Sequence, residues 1–391
     1  MLNWNTYSPA LLVLYCPLSG LKYSTQRLLY FLLDWVCVAG LFWLTRSWFN
    51  RASQGLHAAL FALFAITDFA LVLHMERGQY YLEIAVVVAA AITLWRTHPG
   101  QPGWIGPLGL SCLLLIRPTF LILLPVLWLQ GFRQHVRRTL AISCGIGLTL
   151  LIAFGLQPWR AYFATVRQIQ QRYVESLFLP EQSGPVQLSE RTASAAYRQV
   201  EGEDFSQSLS SLYVTSRSFL SICMTGKHTR SIVTKVFPNA KLLYRVNSAL
   251  LLLSAGYCLL IAHLLRSAST DIKLGFAFFT PIVVESFAPQ RNAYCDVMLI
   301  PILLLGSAVL AQKVDWKDVR FRAFAFFVVA VCAISALGPR LPLLAGRPLM
   351  ALSLARFAVL FLCVNILFAA AACRATRVFA HDEEGTRQIR I

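Results

Sequence analysis

The sequence predicts an all-α, polytopic membrane protein, and three observations lead there. Apolar residues make up 57% of the 391 residues and charged ones only 14%. The mean hydropathy is +0.60. The apolar residues gather in long runs separated by short charged breaks. A soluble globule of this length needs more polar surface than such a composition supplies.

Taken in order, apolar runs lie near residues 28–45, 56–74, 80–95, 104–116, 118–131, 139–156, 242–265, 273–287, 295–312, 322–338 and 348–373, which makes about eleven spans. Several are shorter than the roughly 20 residues a straight crossing needs, and Pro107, Pro118, Pro125, Pro281 and Pro301 interrupt them. A bilayer tolerates broken helices only where protein or a water-filled cavity satisfies the freed backbone groups. The breaks therefore point to a polar cavity.

The net charge of +17 and pI near 9.8 would suit a nucleic-acid partner, but the basic residues follow the membrane topology instead, and no nucleic acid is expected. One set of alternate loops carries sixteen Lys and Arg, from Arg46 and Arg51 through Arg96, Arg133, Arg137 and Arg138 to Arg387 and Arg390. The opposite short loops carry seven, among them Arg77, Arg117 and Arg291. The positive-inside rule then puts the N-terminus outside and the C-terminus in the cytoplasm, in a cell inner (plasma) membrane. Residues Met1–Leu21 lack the basic region of a secretory signal, and Pro9 and Pro17 flank their apolar stretch. An external N-terminus with no leader predicts one further helix upstream of this reading frame.

The chain divides into a membrane half (1–156), an external helical subdomain or lid (157–241), C-terminal membrane helices (242–373) and a cytoplasmic tail (374–391). In the external part Trp159, Tyr162, Phe163, Val166, Ile169, Tyr173 and Leu177 recur at three- and four-residue intervals, with Arg160, Arg167 and Arg172 off that stripe. This pattern reads as an interfacial amphipathic helix. A second stripe, Leu209 to Cys223, follows a polar stretch from Glu181 to Gln207 that reads as a flexible lid. Ordinary packing on the membrane domain explains both stripes as readily as substrate gating does. The ten cysteines include no C-x-x-C pair and mostly sit in apolar runs, so neither a metal site nor a cofactor is expected.

Two charged breaks stand out: Glu76-Arg77-Gly78-Gln79, and Ile116-Arg117-Pro118-Thr119 about 40 residues on. The order of elements around them resembles the integral-membrane glycosyltransferases of family 87 (the DUF2029 group), within the glycosyltransferase C superfamily. Tyr7-Ser8-Pro9-Ala10 and Tyr15-Cys16-Pro17-Leu18 occupy the place of that family's aromatic, proline-containing motif. Gly78-Gln79 match its Gly-Gln pair, and Gly106–Arg138 its glycine-bearing helix, basic-polar-proline break and closing arginines. Arg117 stands where the family has lysine, and its planar fork suits phosphate. Ala288-Pro289-Gln290-Arg291-Asn292-Ala293-Tyr294 stands at the later external turn, without the family's histidine. The acid of the family's first external loop has no counterpart before Tyr7.

The resemblance implies transfer of a hexose, mannose in the commonest case, from a polyprenyl-phosphate donor to a lipid-linked or cell-envelope acceptor, among membrane lipids. Such transfer needs a carboxylate near the acceptor hydroxyl and cations for the departing phosphate. Arg117, Arg291 and Arg77 are the candidate phosphate ligands, with Gln79 and Tyr294 beside them; snorkelling to lipid head groups is their bland alternative. Glu76 is the best surviving external carboxylate and candidate base, with pairing to Arg77 or an exposed cap role equally open. Glu83 and Glu285 sit where they can face a cavity; Glu285 is read either as pairing with Arg291 or as binding a sugar hydroxyl. Asp34 and Asp68 read as interhelical pairing groups, with His74 or Gln79 as the partners. Tyr80, Tyr81, Trp104, Trp128, Trp159 and Tyr162 read as interfacial aromatic belts. The rival readings are a secondary transporter or flippase, which calls for internal pseudo-symmetry not seen here, and a non-catalytic remnant of the enzyme fold.

Overall fold

The computed structural model describes residues 9–10, 13, 20–66, 71, 80–98, 103–175, 235–237, 239–287, 293–313, 326, 329–330 and 356–374. Among the described residues the regular structure is helical throughout. In chain order the helices are α1 (Tyr23–Arg46), α2 (Gln54–Phe61, continued by a π turn over Ala62–Ile66), α3 (Tyr81–Thr97) and α4 (Ile105–Ile116). Then come α5 (Leu123–Leu129), α6 (Arg133–Phe154), α7 (Gln157–Glu175), α8 (Ala240–Leu264), α9 (Thr270–Glu285), α10 (Leu299–Lys313) and α11 (Arg356–Arg374).

Four of these, α1, α6, α8 and α11, are long and apolar enough to cross a membrane. Their outer faces fit that medium: Leu28, Phe31, Leu32, Trp35, Val36 and Trp43 of α1 are all exposed, and so large an apolar surface belongs in lipid rather than water. The runs at 104–116 and 118–131 form a 12-residue helix and a five-residue 3-10 turn followed by a seven-residue helix, each too short to cross alone.

The core runs through α3 and α9. Along α3, Leu82, Ala85, Val88, Ala89, Ile92 and Trp95 are buried, and every residue of α9 from Leu274 to Glu285 is buried. Small residues lie along both helices (Ala85, Ala89, Ala277), while Gly275 faces Leu305 of α10 and Phe368 of α11, and the rings of Phe276 and Phe279 also pack on Phe368. The two helices run antiparallel, since the last turn of α3 meets the first turn of α9 through Arg96 and Asp271. Trp48, in the turn after α1, donates to Thr93 Oγ1 at 2.8 Å, and the Trp95 ring packs on Phe132 and His135. The C-terminal ends of α1, α3 and α5 and the N-terminal ends of α4, α6 and α9 thus share one end of the molecule.

Local chemistry sets the breaks. Gly131 (φ +95°) turns α5 into α6, and Gly155 (φ +73°) turns α6 into α7; both occupy backbone space that side-chain-bearing residues avoid. Pro118 clashes with a helical residue before it, and Arg117 is extended (φ −139°, ψ 100°) while its N–H still closes α4 on Leu113 O. The arginine is thereby taken off the helix axis at the end opposite Arg96.

Candidate functional site

The extended Arg117 sends its side chain inward, among groups from separate elements. Its Nε donates to Glu285 Oε1 at the end of α9, and its Nη1 donates to the Tyr81 hydroxyl at the start of α3. Its Nη2 faces Cys295 Sγ at 3.8 Å, from the 3-10 turn Ala293–Met298. The guanidinium carbon lies 4.7 Å from the centroid of the Tyr81 ring, a cation–π arrangement, and Tyr80 stacks on that ring at 4.8 Å. Thr119 Oγ1, two residues on, donates to the same Glu285 Oε1 at 2.5 Å.

Burial explains why these groups find one another. Glu285 is 1% exposed and Cys295 2%, and a carboxylate so enclosed requires a charge partner and hydrogen bonds. Three of the five N–H groups of Arg117 are engaged; the remaining two have no partner among the described residues. From the side, α7 brings Tyr162, itself buried. Burial pushes the Tyr162 phenol above its ordinary range, and the positive charge of Arg117 pulls it partly back, which places the two within electrostatic reach.

A second polar group lies between α1 and α3. Asp34 of α1 is buried, and so is Cys37 three residues on. Asn247 of α8 donates to Phe287 O at 2.8 Å, which fastens the turn that follows Glu285. Asp296, next to Cys295, is also buried.

Of the residues singled out in the sequence, the structure joins Arg117 and Glu285 directly. Glu285 has Arg117 as its ion-pair partner, 168 residues before it in the chain. Glu76, Arg77, Gln79 and Arg291 lie outside the described residues, as do Asp68, His74 and the stripe from Leu209 to Cys223; Tyr294 falls on the 3-10 turn Ala293–Met298.

Sequence reasoning missed the surroundings of Arg117. Tyr81 and Tyr162 read as belt aromatics, yet Tyr81 holds Arg117 and both are buried. Cys295 read as a small core residue like the other cysteines, and Asp296 drew no reading. The signal for these two was the sequence Tyr294-Cys295-Asp296 itself, polar groups at the head of an apolar run. Trp104 and Trp128 do sit under cations, Trp104 under Arg138 and Trp128 under Arg133 and Arg137.

No protein-family model, curated protein or solved structure matches the chain.

Proposed function

We propose that the protein is a membrane hexosyltransferase that uses a polyprenyl-phosphate sugar, mannose in the first instance, and that Arg117 receives the donor phosphate. The observation that carries this reading is the state of Arg117. It is oriented by Glu285, Tyr81 and Cys295 while two of its N–H groups remain without a partner among the described residues. A guanidinium fork held in this way suits two phosphate oxygens. Arg77, Gln79, Arg291 and Tyr294 complete the proposed donor site in an eleven-span protein with an external N-terminus and a cytoplasmic C-terminus.

In the proposed reaction the anomeric carbon–oxygen bond to the phosphate breaks and a bond from that carbon to the acceptor oxygen forms. The acceptor proton passes to a carboxylate, and polyprenyl phosphate leaves with its charge on Arg117. Glu76 is the proposed base, and Asp296 is the second candidate because it is buried one residue from Cys295. Glu285 already accepts from Arg117 and Thr119, so we assign it to positioning Arg117 rather than to the sugar.

A second reading, in which Arg117–Glu285 is purely a structural staple, draws support from the matching Arg96–Asp271 pair at the far end. One variant set separates the two. Arg117→Lys keeps the charge and loses the fork. In the enzyme reading it lowers binding of a polyprenyl-phosphate hexose by about tenfold or more, one good charged hydrogen bond's worth, with thermal stability little changed. Under the staple reading, the reversed pair Arg117→Glu with Glu285→Arg restores stability and no variant changes lipid binding. Absence of both binding and sugar transfer in the wild-type chain, across all polyprenyl-phosphate hexoses tried, would sink the enzyme reading.

A further inference from the structure

We propose that the outward face of α7, carried by Arg160, Phe163 and Arg167, binds a bilayer surface containing anionic phospholipids. Residues 160, 163, 164 and 167 share one helical face by their three- and four-residue spacing, and all four are exposed, Phe163 by 55%. The opposite face turns inward through buried Tyr162 and half-buried Trp159 and Val166. The inner face is therefore taken up by the protein, and the Arg-Phe-Arg face is left to the surroundings.

Charge complementarity selects the partner. Between Gln157 and Val174 the chain has three arginines and no acidic residue, so this stretch attracts negative charge. Continuity gives the location. Helix α6 is long and apolar enough to cross a membrane, and Leu148, Ile152 and Phe154 in its last turns and Leu156 just after it are exposed. The chain then turns at Gly155, where φ is +73°, and α7 begins two residues later, directly after this apolar end.

An aromatic ring between two arginines suits that boundary. The ring enters the acyl edge while the guanidinium groups reach lipid phosphates. Arg160 and Arg167 stand about 10 Å apart along the axis, a spacing that fits neighbouring head groups better than one soluble phosphate, which would leave the ring without a role. The same helix carries Tyr162, whose phenol the positive charge of Arg117 reaches. The proposal does not depend on which reaction the Arg117 site performs.

The test is hydrogen exchange on the full-length protein in nanodiscs of phosphatidylcholine alone and of phosphatidylcholine with one-third phosphatidylglycerol. Anionic lipid is expected to slow exchange of α7 amides by about tenfold, two arginines near such a surface each contributing roughly fivefold at most. Exchange along α3 serves as the control for the fold. Arg160→Gln with Arg167→Gln should abolish the slowing, and the Lys pair at the same positions should keep it. Equal exchange in the two bilayers overturns the proposal. So does slowing that survives in the Gln pair, or slowing that inorganic phosphate reproduces in phosphatidylcholine nanodiscs.

Discussion

The two ends of α9 each bind an arginine, and they do so on opposite terms. Asp271 in the first turn takes Arg96 in a two-point grip, Nε at 2.6 Å and Nη2 at 2.9 Å, with side chains 18% and 22% exposed. Fourteen residues on, about 21 Å along the axis, Glu285 takes Arg117, and there the carboxylate side chain is 2% exposed. An acid at a helix N-terminus and a base at a helix C-terminus both agree with the backbone dipoles, so Asp271 on α9 and Arg96 on α3 each sit where a helix favours them. Glu285 sits in the last turn of α9, where the carbonyl ends repel a carboxylate. It persists there because Arg117 and Thr119 both donate to it. One pair is architecture that local rules favour; the other goes against them and is held by its neighbours, which is where sites of function are to be sought.

Breaking each pair tests this contrast most directly. Glu285→Ala leaves the Arg117 charge in a nearly closed pocket and should lower stability by about 3–5 kcal/mol, the usual loss when one partner of a buried pair goes. Asp271→Ala should cost about 1 kcal/mol or less, because Arg96 can turn to solvent. Thermal unfolding of both variants in the same detergent reads the difference, and equal losses would erase the distinction.

Packing rather than charge secures the Arg96 end, and Gly106 probes that. A Cβ added there would lie 2.3 Å from Trp95 Nε1, while the Trp95 ring is fixed between Phe132, His135 and Phe278. Gly106→Ala should therefore cost about 1–3 kcal/mol by overpacking. Gly40→Ala on α1, with nothing within 4 Å of its added methyl, should be neutral or gain about 0.5–1 kcal/mol. A neutral Gly106→Ala would mean that Trp95 shifts freely and that this end is looser than its contacts imply.

A single hydrogen bond is at stake at Thr119. Thr119→Val keeps the shape and removes one of the two hydrogen bonds to Glu285 Oε1, for about 1–2 kcal/mol, and Thr119→Ser should restore it. No loss in the valine variant would show that Thr119 does not help to hold Glu285.

The reading of Glu285 illustrates what the sequence made legible. Its place near a helix end and its exceptional charge in an apolar run were visible, and so was the Arg117-Pro118 break. The partner expected from the sequence, Arg291, lies outside the described residues, while the pair the structure describes is with Arg117, 168 residues away. Antiparallel helices bring distant ends together, and no spacing along the chain signals such a partner. Tyr81 was misread for a related reason: an aromatic at a span end has the same sequence signature whether it faces lipid or an arginine. The helices long enough to cross a membrane were easy to see because α1, α6, α8 and α11 each offer an unbroken apolar run. The innermost helices, α3 with 17 residues and α9 with 16, are apolar as well, and an apolar run by itself does not mark them as the core.

By itself the sequence determined composition, helix and break. Apolar runs without enough polar cover must bury themselves in one another or in lipid, and a proline forces the residue before it out of the helix. These are properties of neighbouring residues. Only the tertiary structure decided that Arg117, Glu285, Tyr81, Thr119 and Cys295 share one pocket. A buried charge takes whichever partner the packing of helices delivers, and that packing is settled by the shape and size of side chains across the whole core.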